Sequence, residues 1–167
     1  KKIKENLYEK SGITMKKIIP DDESSVYEAC RFELNNRKVL HRSAKITPAK
    51  QGMFVTIWKR NKEGVTVPMD VGDDFDLLLI TCMQGDRVGQ FVFSKSLLAL
   101  QKVISVKGKG GKRGMRVYHP WQVVSNTRAK KTQEWQRAFF IETDDAMAKE
   151  KFNHIMSQLH QPGSSLK

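Results

Sequence analysis

Residues 75–82, FDLLLITC, leave the chain the fewest choices. A short, nearly unbroken apolar run of this kind is predicted to be a strand whose centre is buried on both faces, and it belongs in the core. The other segments supply its sheet partners. YEACRFEL alternates, with Cys30, Phe32 and Leu34 on one side, and Asn35-Asn36 offers the positive-φ residues of a tight hairpin. The return strand, about Val39 to Ile46, places Leu40, Ala44 and Ile46 on one face and His41, Ser43 and Lys45 on the other, with Arg42 the exception on the apolar side. GMFVTIWKR reads as a further strand and GQFVF as another, while Ile13 to Ile19 reads as extended.

Helices frame these strands. The opening dozen residues suit a short helix stopped near Gly12. Ser94 suits the N-cap of a helix carrying Leu97, Leu98, Gln101 and Ile104. Two more are predicted over about Thr127 to Ile141 and Asp144 to Leu159, ahead of a flexible tail at 161–167. Strands followed by helices, without strict alternation, predict one α+β domain over 1–160. It has a central mixed, mostly antiparallel sheet of about five strands with flanking helices.

At 167 residues, with 39% apolar side chains and a mean hydropathy of −0.52, the chain is expected to be globular and not to insert into a membrane. The charged N-terminus lacks the apolar stretch of a secretory signal, so a cytoplasmic location is expected. Cys30 and Cys82 stand alone in apolar segments and are read as small buried hydrophobes.

The charge is sorted. Of a net +12, residues 37–62 hold eight basic side chains and no acid. Residues 63–86 hold six acids and no Lys or Arg, and 87–133 hold eleven basic residues, again without an acid. Acid-free blocks of this length point to a polyanion. In the first, Arg42, Lys45, Lys50, Lys59 and Arg60 surround a strand-turn-strand. In the second, KGKGGKRGMRVYHPW combines glycines that let a backbone approach phosphate with Lys109, Lys112, Arg113 and Arg116. Tyr118 and Trp121 follow as candidates to stack on unpaired bases. Arg128, Lys130, Lys131 and Gln133, in one turn at a helix start, would add phosphate contacts or side-chain hydrogen bonds. The glycine spacing fits neither a nucleotide-hydrolysing phosphate loop nor a dinucleotide-binding loop.

The acidic block raises an enzymatic alternative. Asp74 and Asp76 share a face at a strand start, as a pair holding Mg²⁺ or Mn²⁺ would, and Lys95 at the end of the next strand would complete a metal-dependent nuclease. Otherwise no metal or organic cofactor is expected. The histidines show no zinc spacing, and no acyl-transfer motif is present.

Four segments, AKITPAKQGMFVTIWKR, GQFVFSKSLL, GKRGMRVYHPW and KKTQEWQ, resemble the MepB family of small bacterial proteins over roughly Tyr27 to Ile141. The resemblance implies a fold related to the PD-(D/E)xK nucleases and a gene beside a multidrug-efflux transporter and a MarR-type repressor. In those nucleases the position two before the lysine is acidic, whereas here it is Phe93. The positions of Ser94 and His119 are often proline in the family. The expectation carried forward is a nucleic-acid-binding protein, with DNA the favoured partner and no turnover. The alternatives are a metal-dependent nuclease with catalytic Asp76 and Lys95, and an adaptor for an acidic protein.

Overall fold

The computed structural model describes residues 4–159. In chain order the strands are β1 (Met15–Pro20), β2 (Cys30–Leu34), β3 (Arg37–Ser43), β4 (Lys45–Ile46), β5 (Met53–Thr56), β6 (Trp58–Arg60), β7 (Thr66–Pro68), β8 (Leu77–Gln84) and β9 (Arg87–Ser94). Helix α1 (Lys95–Leu100), β10 (Gly114–Val117), α2 (Thr127–Arg137), β11 (Phe140–Glu142) and α3 (Ala148–Ser157) complete the series. A helical turn spans Lys4–Glu9 and is followed by Gly12 at φ +73°. The tail expected at 161–167 lies outside the described residues.

The fold is α+β, around a six-stranded sheet in the order β1-β2-β3-β8-β9-β11. Only β3 and β8 run parallel among its neighbours. A parallel pair needs a long crossover. Here residues 44–76 make it, and instead of a helix they supply β4 and β5 to a second sheet, ordered β10-β5-β4, and the ribbon β6-β7.

Strand β8 is covered on both faces, as its composition requires. Leu77 and Leu79 face a core with Leu7, Phe152 and Ile155 from the N-terminal turn and α3. Leu78, Ile80 and Cys82 face another with Val55, Val117 and Leu98 from the small sheet and α1. Leu77, Leu79 and Ile80 are fully buried, and each such side chain contributes roughly 1.5–3 kcal/mol. Burial also pushes the Cys82 thiol up to about 12, so it behaves as a hydrophobe.

One polar chain crosses the first of these cores. Tyr8 Oη donates to Gln90 Oε1 (2.7 Å), and Gln90 Nε2 donates to Thr81 Oγ1 (3.2 Å). The Thr81 hydroxyl then donates to His41 Nε2 (2.8 Å), which leaves the His41 Nδ1 proton for the Glu28 carbonyl (3.1 Å). Every link is satisfied when His41 is neutral, and burial lowers its pKa accordingly.

Four elements differ from expectation. The return strand breaks at Ala44, and Lys45–Ile46 join the second sheet. GMFVTIWKR divides at Ile57, whose backbone N–H turns to the Arg113 carbonyl (3.0 Å). The helix after Ser94 stops at Leu100, with Lys102 left-handed at φ +59°. Finally, α2 ends at Arg137 because Phe140 and Ile141 pair with β9. The Phe140 ring lies where a Cβ on Gly89 would stand, 2.1 Å from it. GMFVTIWKR leaves the main sheet while β11 and β1 join it, so the expected five strands become six. No helix among the described residues is long and apolar enough to cross a membrane.

Candidate nucleic-acid interface

The two basic segments meet in the small sheet. Strand β10 pairs with β5, placing Arg116 opposite Phe54, and β4 pairs with the other edge of β5, placing Lys45 opposite the same Phe54. Alternation sends Met53, Val55, Met115 and Val117 into the core, so Phe54, Thr56, Gly114 and Arg116 face outward. Lys45, Phe54 and Arg116 thus form one cross-strand row. The Arg116 guanidinium lies 5.7 Å from the Phe54 ring centre, and Lys45 lies 6.0 Å from Tyr27, which meets Phe54 edge-on at 6.5 Å. Arg116 is held in place by donating to Thr47 Oγ1 (2.8 Å) and to the Gln51 carbonyl (3.2 Å), both neutral acceptors. Gly114 makes room for the Phe54 ring, since a Cβ would stand 2.6 Å from it.

Glutamines join helix α2 to this sheet. The fully buried Gln136 accepts from the Tyr118 backbone N–H (2.8 Å) and donates to the Arg116 carbonyl (3.1 Å), taking the place of a neighbouring strand at the edge of β10. Gln133 donates to the carbonyls of His119 (3.1 Å) and Gln122 (2.8 Å). Gln122 accepts from the Gly52 N–H (2.9 Å), and Gln51 accepts from the Ser125 N–H (3.0 Å). Asn126 caps the helix through the Ala129 N–H (2.9 Å). These bonds border a cleft of about 420 Å³ between β10 and α2. Phe54, Tyr118 and Trp135 line it with Lys112, Arg116 and Arg128.

The acidic block folds back on part of the basic charge and leaves the rest free. Asp73 pairs with Lys59 and Asp74 with Lys38, while Glu23 takes Arg60 and Glu142 takes Arg87. The Asp74 carboxyl is held low by its hydrogen bond from Lys38, whose own pKa rises. Asp70 works differently. It accepts from Ser105 Oγ (2.6 Å) and the Gly108 N–H (3.0 Å), which lower its pKa and pin the glycine-lysine loop by its backbone. Among the described residues, Lys45, Lys50, Lys109, Lys112, Arg113, Arg116, Arg128, Lys130 and Lys131 meet no carboxylate.

Several expected site residues are therefore reassigned. Arg42 is 4% exposed, donates to the His41 carbonyl (2.8 Å) and lies 3.8 Å from Asp21, so it cannot reach a phosphate outside. Lys59 and Arg60 each meet a carboxylate, Asp73 and Glu23 respectively. Trp121 is no stacking platform, because Arg87 covers it at 4.5 Å, Phe140 packs edge-on at 5.3 Å and its N–H donates to Glu142 (3.0 Å). Gly111 serves packing, since a Cβ would stand 2.6 Å from the Ser105 nitrogen. His119 is buried beside Trp121, and burial lowers its pKa, so it adds no charge. Lys45, Lys112, Arg116 and Tyr118 stay where the expected interface needs them. Lys50, Lys109, Arg113, Lys130 and Lys131 are exposed around it or on the loops and helix that flank it.

The nuclease candidates are drawn to other partners. Asp76 accepts from the Lys38 backbone N–H (2.8 Å), Asp74 binds the Lys38 ammonium, and the Lys95 ammonium turns to the Asp73 carbonyl and the Phe75 ring. Among the described residues no group of three or more His, Cys, Asp or Glu side chains is placed to hold a metal ion.

The sequence singles out Arg128 but not two other cleft residues, Phe54 and Trp135. A signal for Trp135 exists. Arg128, Thr132 and Trp135 recur at i, i+4 and i+7, which sets them on one face of α2.

The sequence profile of the MepB-like family matches residues 21–142, a stretch that includes both basic segments and the whole cleft. A solved structure titled "Crystal Structure of MepB" is similar at 30% identity, covering 78% of this chain and 88% of that one with a TM-score of 0.76. No curated protein matches the chain.

Proposed function

The chain belongs to the MepB-like family, and for this member we propose nucleic-acid binding through phosphates, with DNA the favoured ligand. The observation that carries the proposal is the convergence of the two acid-free basic segments as hydrogen-bonded strands of one small sheet. Its outward row of Lys45, Phe54 and Arg116 continues into a cleft with Lys112 and Arg128, and none of these cations is matched to a carboxylate among the described residues. Unmatched cations keep their full capacity to displace counterions from a phosphate backbone, whereas Lys38, Lys59 and Arg60 already share theirs with carboxylates. Arg116 is also already oriented by Thr47 and Gln51, so little side-chain entropy is lost when it meets a phosphate. The free thiols Cys30 and Cys82 fit a reducing cytoplasm, where such a ligand would be met.

The test is the salt dependence of affinity for labelled DNA. Each contacted phosphate contributes a slope of roughly −0.7 to −0.9 in log K against log salt, so a handful of contacts weakens binding by about 100-fold or more between about 50 and 200 mM. Affinity that is flat across that range overturns the proposal.

A further inference from the structure

We propose that the cleft between β10 and α2 takes a single unpaired nucleobase, so that the protein selects single-stranded or locally opened DNA over intact duplex. The inference rests on the nucleic-acid reading above and concerns the same face of the molecule.

Three aromatic side chains reach the cleft from three separate elements: Phe54 from β5, Tyr118 beyond the end of β10, and Trp135 from α2. Each is half-buried, with ring surface left over after its packing contacts are made. Tyr118 backs onto Gly52, where a Cβ would stand 2.6 Å from its ring, and Trp135 packs against Phe93 at 5.4 Å. An aromatic wall so braced loses little freedom when a base stacks on it.

Hydrogen-bonding groups in the cleft are uncommitted. Trp135, Tyr118 and Gln101 line it, and the indole N–H, the hydroxyl and the carboxamide they carry make no hydrogen bond among the described residues. That contrasts with Trp121, whose N–H is taken by Glu142. Donors and an acceptor beside stacking surfaces suit the edge of a heterocycle. Lys112, Arg116 and Arg128 suit the phosphates on either side of it.

The frame is also rigid where it matters. Gln136 and Gln133 fix the separation of α2 from β10 through backbone groups, so the gap does not depend on a ligand to hold it open. A gap between one strand and one helix admits a flat ring and excludes a paired duplex, whose base faces are already stacked.

The experiment compares one sequence as a single strand, as a perfect duplex and as a duplex with one unpaired base, each carrying 2-aminopurine, at one salt concentration. The expected result is affinity about 10-fold or more higher for the unpaired forms, on the order of one base–aromatic stack, with a change in 2-aminopurine emission on binding. Thr132→Trp, which fills the cleft, is expected to bring the single-strand affinity toward the duplex value. As a readout that needs no variant, 5-iodouracil in the single strand is expected to crosslink to Tyr118 or Trp135. Equal affinity for all three DNAs with unchanged emission, or crosslinks confined to residues outside the cleft, overturns the base pocket while leaving phosphate binding standing. Absence of binding to every DNA at low salt overturns the nucleic-acid reading itself.

Discussion

Strand β8 is covered on both faces, and in its sheet Lys17, Lys38, Arg42 and Arg87 each lie against a carboxylate. Strands β5 and β10 bury one face only, and the cations on the other, Lys45 and Arg116, meet aromatic rings and neutral acceptors instead. The same excess of Lys and Arg thus has two uses. In the large sheet most of the charge is matched internally; where one face of the small sheet is left open, charge is left over. Net charge alone hides that division, and position in the fold reveals it.

The sharpest way to separate the two regions is to damage the first. Phe91→Ala removes a fully buried ring from the large sheet and is expected to cost about 3–5 kcal/mol by denaturant unfolding, while the fraction still folded binds DNA normally. Gln136→Ala attacks the joint between the regions. It strands the Tyr118 N–H and the Arg116 carbonyl, so a loss of about 2–3 kcal/mol is expected, and here DNA affinity falls together with stability. A Gln136→Ala protein that bound normally would break the comparison.

Arg116→Gln acts on the open face alone. Its unfolding midpoint is expected to stay nearly constant, whereas DNA affinity drops about 10-fold and the salt slope falls by about one phosphate. Lys59→Gln is the control, expected to leave affinity unchanged because Asp73 already holds that charge.

The pH response draws on both regions, beginning with the first. Burial lowers the pKa of His41 below its ordinary value near 6.5, so the unfolded chain binds that proton more readily than the folded one. Stability is then full above about pH 6.5 and declines as the pH falls through 6.5 toward the folded value. His119, lowered in the same direction, adds to the slope. Thermal melts from neutral to mildly acidic pH read it, and His41→Gln is expected to flatten it. The smallest effect is expected from Arg42→Met. A buried cation with an unpartnered Nε and a carboxylate 3.8 Å away contributes little net stability, so the change is expected to be neutral or stabilising by about 1 kcal/mol. DNA affinity stays the same.

Much of the large sheet was legible in the sequence because its signals are local. Asn35 and Asn36 adopt φ of +46° and +67°, and the hairpin they close follows from their positive-φ tolerance alone. The double-sided burial of Leu77–Cys82 follows from composition. The breaks at Ala44 and Ile57 were not legible, because alternation continues through them and only the pairing partner changes. Phe140 and Ile141 extend a helical pattern as easily as they form a strand, and the choice was made by β9 at a distance. The site divided along the same line. Its basic segments and Tyr118 were visible as composition, and Arg42 already stood out on the apolar side of its strand. Whether Trp121 or Trp135 faced the open cleft depended on Arg87 and Glu142, which approach Trp121 from elsewhere in the chain.

The Gln136 clamp touches its partner strand only through an amide and a carbonyl that almost any residue would present. The side chains at 116 and 118 are therefore not part of the fastening. Substitutions there can retune what the cleft accepts without loosening the helix that forms its far wall. In engineering terms, the recognition surface and the scaffold that carries it can be varied separately, and new ligand preferences can be explored at positions 116 and 118 while Gln136 is kept.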